Sequence, residues 1–150
     1  MRGTMGLLLV AAGAAACSSS NGHPGPDPDP DPVISVAGTY QTEVTMVSND
    51  CPGQTVQQHL TAVAHIPGGV TLSLRHAGSL YTGTVTADGA FTTTPVMQTF
   101  DGINYTISIS GQFTETAMDA LVQVAAARQP PCSFTARWAG PKSGDPNVIP

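Results

Sequence analysis

Charge is what this chain of 150 residues has least of. Only 10% of the residues are charged, 5 Lys+Arg stand against 10 Asp+Glu, and the formal net charge is -5. A nucleic-acid-binding surface needs clustered Lys and Arg to displace counterions, so that class is excluded. A basic patch for an anionic membrane surface is excluded on the same ground. Aromatic residues make up 5% and Trp occurs once. Trp138, Tyr40, Tyr81 and Tyr105 therefore read as core bulk before they read as a ligand cup. The 3 cysteines include no Cys-x-x-Cys pair, which removes the redox and zinc-ribbon motifs. There is no G-x-S-x-G, no H-E-x-x-H and no Gly-rich phosphate loop. The chain reads as non-enzymatic, with no cofactor and no metal. No apolar run reaches the roughly 20 residues of a membrane-spanning helix.

What the sequence does have begins at its N-terminus. Arg2 is followed by the apolar stretch Leu7 to Ala12 and by Gly13-Ala14-Ala15-Ala16. Cys17 comes next, then Ser18-Ser19-Ser20-Asn21-Gly22. A charged start, a short apolar core and small residues at a cleavage point are the parts of a secretory signal. The layout resembles the signal peptide and lipobox of bacterial lipoproteins, with Ala14 where an aliphatic residue usually stands. The resemblance implies that residues 1–16 are removed and that Cys17 becomes the lipidated first residue. It further implies a bacterial cell-envelope location, anchored through the lipid. Ser18 stands where Asp would resemble an inner-membrane retention signal, so the outer membrane is expected. The other reading is an ordinary signal cut after Ala14-Ala15-Ala16, an A-x-A pattern.

Residues 17–36 read as a tether. Pro24-Gly25-Pro26-Asp27-Pro28-Asp29-Pro30-Asp31-Pro32 cannot propagate helix or sheet, because proline fixes φ and removes a donor. Such segments extend by about 3.1 Å per residue. Metal binding by the Asp residues is the less favoured alternative, since alternation with Pro splays the carboxylates. Residues 37–140 read as one compact domain and residues 141–150 as a loose tail.

Within the domain the apolar residues alternate. Tyr40, Thr42, Val44 and Met46 form one such run, and Val70, Leu72 and Leu74 another. Ile103, Tyr105, Ile107 and Ile109 form a third, and Cys132, Phe134, Ala136 and Trp138 a fourth. This period of two predicts half-buried antiparallel strands. Leu60–Ile66 and Leu80–Thr86 are strand-like, and Phe91–Met97 is a less regular one. Asp88-Gly89 and Asp101-Gly102 predict tight hairpins. Glu115–Arg128 fits a helical stripe as well as a strand. Strand is preferred because its neighbours are strands. The expectation is an all-β, antiparallel, up-and-down barrel of about eight strands, with a β-sandwich as the alternative.

Gly38-Thr39-Tyr40 on the first strand resembles the G-x-W segment that opens lipocalin-like (calycin) barrels, with Tyr in place of Trp. The resemblance implies that Arg137, on the last strand, packs over that aromatic. It also implies a possible small apolar ligand. From the residues themselves, Cys51 and Cys132 are an even pair in an exported chain and predict a disulfide joining the first and last strands. His59 and His65 lie six residues apart, roughly 20 Å along a strand, and cannot share a metal. With His76 at a turn and His23 in the tether, the histidines are expected to be solvated. Glu43, Glu115 and Asp119 have nothing to bring them together. The expected role is a lipid-anchored envelope protein with a structural or interaction function, meeting an envelope protein as its partner. A lipocalin-like binder of a small apolar ligand is the alternative.

Overall fold

The structure, a computed structural model, describes residues 31–150. Residues 1–16, Cys17 and the tether as far as Pro30 lie outside the described residues. Ten strands follow: β1 (Gly38–Tyr40), β2 (Glu43–Asn49), β3 (Thr61–His65), β4 (Thr71–His76), β5 (Ser79–Val85), β6 (Ala90–Thr93), β7 (Val96–Phe100), β8 (Ile103–Phe113), β9 (Ala117–Ala127) and β10 (Cys132–Ser143). All pairings are antiparallel, in the order β1-β3-β4-β5-β6-β8-β9-β10. Thr39↔Ser143 and Tyr40↔Lys142 then join β10 back to β1. The sheet is a closed up-and-down barrel, and the β-sandwich alternative is set aside.

The two further strands are continuations. β2 carries β1 onward past Gln41-Thr42 and pairs with β10 from Ala139↔Glu43 to Phe134↔Asn49. β7 carries β6 onward and pairs with β8. The expected single strand Phe91–Met97 is thus split, and Pro95 stands at the break, where a missing N–H cannot continue a ladder. Glu115–Arg128 resolves as strand β9, with burial alternating along its length. Met118, Ala120, Val122, Val124 and Ala126 face in, while Leu121 is 44% exposed. A helical stripe would have buried Leu121 with Met118 and Val122.

The connections sort into two ends. Segments 31–37, 66–70, 86–89, 114–116 and 144–150 gather at one end, and 50–60, 77–78, 101–102 and 128–131 at the other. The first end is closed. Phe113 packs between Tyr40 and Phe91, with ring centroids 5.5 Å and 4.6 Å away. The Tyr40 hydroxyl lies 2.8 Å from both Val36 O and Asn147 Oδ1 and directs its one proton between them. Asn147 Nδ2 donates to Thr114 O at 2.7 Å, which fixes the amide's orientation. Burial pushes the Tyr40 phenol up to about 12, against the opposing effect of the Asn147 hydrogen bond.

These contacts correct the sequence reading at both flanks. Residues 141–150 are not a loose tail: Pro141–Ser143 belong to β10, Asn147 is buried, and Val148 bridges Ser35. Nor does the tether run to residue 36, because Ile34 and Val36 are part of the core.

Three strands carry an inward-facing glycine: Gly83 on β5, Gly111 on β8 and Gly140 on β10. A Cβ at Gly140 would lie 2.0 Å from Gln41 O. The wall therefore bends tightly where β1 gives way to β2, and only a residue without a side chain admits the neighbouring backbone there.

Candidate functional site at the barrel mouth

Whether the barrel could hold a ligand depends on its interior. Tyr40 and Leu74 are fully buried, and Val63, Leu72, Tyr81, Ile109, Phe113, Val122 and Trp138 nearly so. These side chains fill the middle of the barrel, as an eight-stranded barrel can. The outside carries a broad depression of about 740 Å³ over Ala64, Thr71, Ser73, Thr82 and Thr84. Most of its lining faces outward, although the inward-facing His65, Leu72 and Gly83 also border it.

The open end is different. There a layer of polar and aromatic groups closes the filled interior. The His76 ring stacks on Trp138, with centroids 3.7 Å apart and planes 15° from parallel. Tyr81 meets the other ring of this stack, Trp138, edge-on at 6.1 Å. The His59 ring stands edge-on to His76 at 5.5 Å. Below them runs a chain of hydrogen bonds. Thr42 Oγ1 donates to His59 O at 2.7 Å. Its single proton is then used, so across the 2.9 Å Thr42–Thr61 contact Thr61 must donate. Thr61 in turn has no proton left for His76, whose Nδ1 lies 2.8 Å away. His76 Nδ1 therefore carries a hydrogen and donates to Thr61. The chain fixes the tautomer and leaves the Nε2 lone pair free.

His76 is 5% exposed, which corrects the expectation of solvated histidines. The alternation Leu72, Leu74, His76 places it on the inner face, and its position beside a turn obscured that signal. His65 is buried as well. It accepts from Val36 N on Nδ1 at 3.5 Å and donates from Nε2 to Gly69 O at 2.8 Å, clasping the closed end. His59 is exposed, as expected.

Burial, and secondarily the nearby His59, hold His76 down to about 4 from an ordinary 6.5. The unfolded chain therefore binds more protons than the fold between those values. Stability present above about pH 6.5 is lost as pH falls toward about 4 and then levels off. The expected loss is about 1–2 kcal/mol, since water at the mouth screens part of the shift. Urea unfolding at pH 7.5 and pH 4.5 measures it, and a His76→Phe variant should show a smaller difference. An equal slope in that variant would remove His76 as the cause.

Beside this layer the mouth opens into an apolar cleft of about 220 Å³, lined by Gln54, Phe100, Tyr105, Ile107, Val124 and Phe134. Gln54 comes from the long 50–60 segment, which two fixings hold. Cys51 is bonded to Cys132 across 81 residues of sequence, with Cα atoms 5.2 Å apart. Gln58 mimics a strand partner, with Oε1 accepting from Val44 N at 2.7 Å and Nε2 donating to Val44 O at 2.8 Å. The predicted disulfide is thus present and ties β10 to the segment that leaves β2.

The remaining sequence candidates do not converge. Asp119 and Glu43 both oppose Ala139, one from each side of β10, so two strand spacings, about 10 Å, separate them. Glu115 sits at the closed end. Arg137 does not pack over Tyr40. It points outward on alternation and donates from Nε to Asp119 Oδ1 at 2.7 Å, with its Nη2 paired to Asp119 Oδ2. This hydrogen bond, more than the charge, holds the Asp119 carboxyl below its usual range, while slight burial opposes it. The cation beside the opening strand is Lys142, opposite Tyr40 in register.

Comparison of the chain with models of protein families, with curated proteins and with solved structures finds no match in any of the three.

Proposed function

We propose that this chain is a lipid-anchored, exported protein of the bacterial cell envelope, held at the outer membrane through Cys17, whose barrel acts by contact rather than by catalysis. The observation that carries this reading is the filled interior. A solid barrel offers a partner its surface, and its rigidity comes from a closed sheet and a long-range disulfide, a bond suited to oxidising compartments. The chain enters the barrel at the closed end. A second reading, favoured by the apolar cleft, is the binding of one small apolar ligand at the mouth. At about 220 Å³ the cleft falls below the roughly 300–1,000 Å³ of typical ligand pockets, so only a small, partly exposed ligand fits.

One preparation tests both. The Cys17→Ser protein should leave the detergent phase on fractionation, because no other segment is expected to anchor. Its persistence there would end the lipoprotein reading. The soluble form, mixed with an apolar fluorescent probe, should show no saturable binding and no rise in melting temperature. Saturable binding that Ile107→Trp abolishes would put the second reading first.

A further inference from the structure

β5 and β6 pair through Gly83–Val85 and Phe91–Thr93, with Thr86 N bonded to Ala90 O at 2.9 Å at the hairpin and Thr94 N to Thr82 O at 2.8 Å on the other side. Past Pro95 the two walls part, and β7 pairs with β8 alone. One edge of β7 is therefore open. The turn at Asp101-Gly102, with φ of 50° and 76°, makes a two-residue hairpin in which Phe100↔Ile103 is the first hydrogen-bonded pair. By alternation Gln98↔Tyr105 and Val96↔Ile107 are hydrogen-bonded too. Met97 and Thr99 turn their N–H and C=O groups the other way, onto the open edge.

Sheet edges are normally blunted by charge, proline or a covering segment. The opposite edge strand, β2, is covered at Val44 by Gln58 and carries Glu43. β7 reads Val96-Met97-Gln98-Thr99-Phe100 and has no charged residue. Its Met97 is 68% and its Phe100 57% exposed.

We propose that β7 is a self-pairing edge through which two copies of this chain join into one continuous sheet. The antiparallel register centred on Gln98 uses the edge most fully. Met97 then exchanges both backbone bonds with Thr99 of the second copy, Thr99 does so with Met97, and the two Gln98 residues face each other on the twofold axis. Such an interface sets the same strand against itself. A charge at Gln98 would face its own copy, and one at Met97 or Thr99 would stand diagonal to it, which opposes pairing. In a chain of net charge -5, β7 escapes that repulsion. Two short edges bury less than the roughly 1,200–2,000 Å² of stable interfaces, so the dimer is weak, with Kd on the order of 100 µM.

Sedimentation equilibrium on the unlipidated Cys17→Ser chain tests the proposal. The average mass should rise from monomer toward dimer across roughly the micromolar to millimolar range. Thr99→Pro removes an edge donor, and Met97→Lys places charge on the edge with a side chain already in solvent, so that the fold is kept. Both should remain monomeric throughout. Under mild oxidation Gln98→Cys should crosslink two copies, and Leu121→Cys, exposed on β9, should not. A chain that stays monomeric at the highest concentration, or a dimer that survives Met97→Lys, overturns the proposal.

Discussion

Serine at both Cys51 and Cys132 should lower the unfolding free energy by about 3–5 kcal/mol. The bond closes a loop of 81 residues, and loop-closure entropy for that length gives about 4.5 kcal/mol. The effect is expected near this upper figure because the first half of the segment it holds is tied to the sheet by the disulfide, while Gln58 and His59 fix only its far end. Past Asn49 the chain leaves the sheet and returns only at Thr61. Asp50 N to Ser133 O, at 2.9 Å, is the last backbone bond across to β10. Without the disulfide the unfolded chain regains the freedom of most of the domain. The folded chain also loses the tie at the mouth, where Cys51 is 1% exposed. Guanidinium unfolding of the oxidised, reduced and double-serine forms measures this, and a fall in midpoint of about 1 M is expected. Coincident midpoints would mean that the bond constrains nothing that the sheet does not.

Gly140→Ala should destabilise the fold by about 3 kcal/mol, the upper part of the range for overpacking. In an ordinary strand the same change is favourable, since alanine loses less freedom on folding. Here the new methyl would meet only backbone: Gln41 O at 2.0 Å, Gln41 C at 2.7 Å and Thr42 Cα at 3.0 Å. Backbone held in a closed ladder cannot rotate away as a side chain can. Relief requires β1 and β2 to move off β10, which weakens the barrel's closure and the Thr42–Thr61–His76 chain. Gly111→Ala should behave alike, with Asp119 O at 2.3 Å. Thermal or urea unfolding reads both variants. A neutral Gly140→Ala would show that the wall at this seam has slack.

The fold was legible in the sequence because nearly every strand carries its own period of two. Ile107, Ile109, Val122, Val124, Ala136 and Trp138 could each be placed inward from neighbours two residues away. Glu115–Arg128 was ambiguous because alanine suits either geometry, and only the solvent position of Leu121 decides it. The candidate site was less legible. The disulfide followed from cysteine parity, but the His76–Trp138 stack joins β4 to β10, and no local pattern announces a partner sixty-odd residues away. The calycin resemblance sets Arg137 over Tyr40, whereas alternation with Trp138 turns it outward. The tail and the end of the tether look loose in the sequence because short Pro- and Gly-containing segments lack periodicity. Their order comes from Asn147 and Val36, through bonds to Tyr40 that only the closed barrel brings within reach.

The meeting of the two flanks at the closed end also determines how the molecule carries a pull. Ser35 N donates to Val148 O at 2.9 Å, and Val148 N donates back to Ser35 O at 3.0 Å. Tension on the N-terminal flank meets Ile34 O, which accepts from Gly68 N at 2.8 Å, and then this small pair. Behind it lies Val36, whose carbonyl accepts from Tyr40, and then β1, paired on one side with β3 and on the other with β10. β1 runs from the closed end toward the mouth, so a pull from its start acts along the strand axis. Antiparallel hydrogen bonds lie across that axis and are strained together, in shear, instead of parting one after another like a zip. A pull from the N-terminal side is thus taken at the closed end by bonds of β1 that share the load.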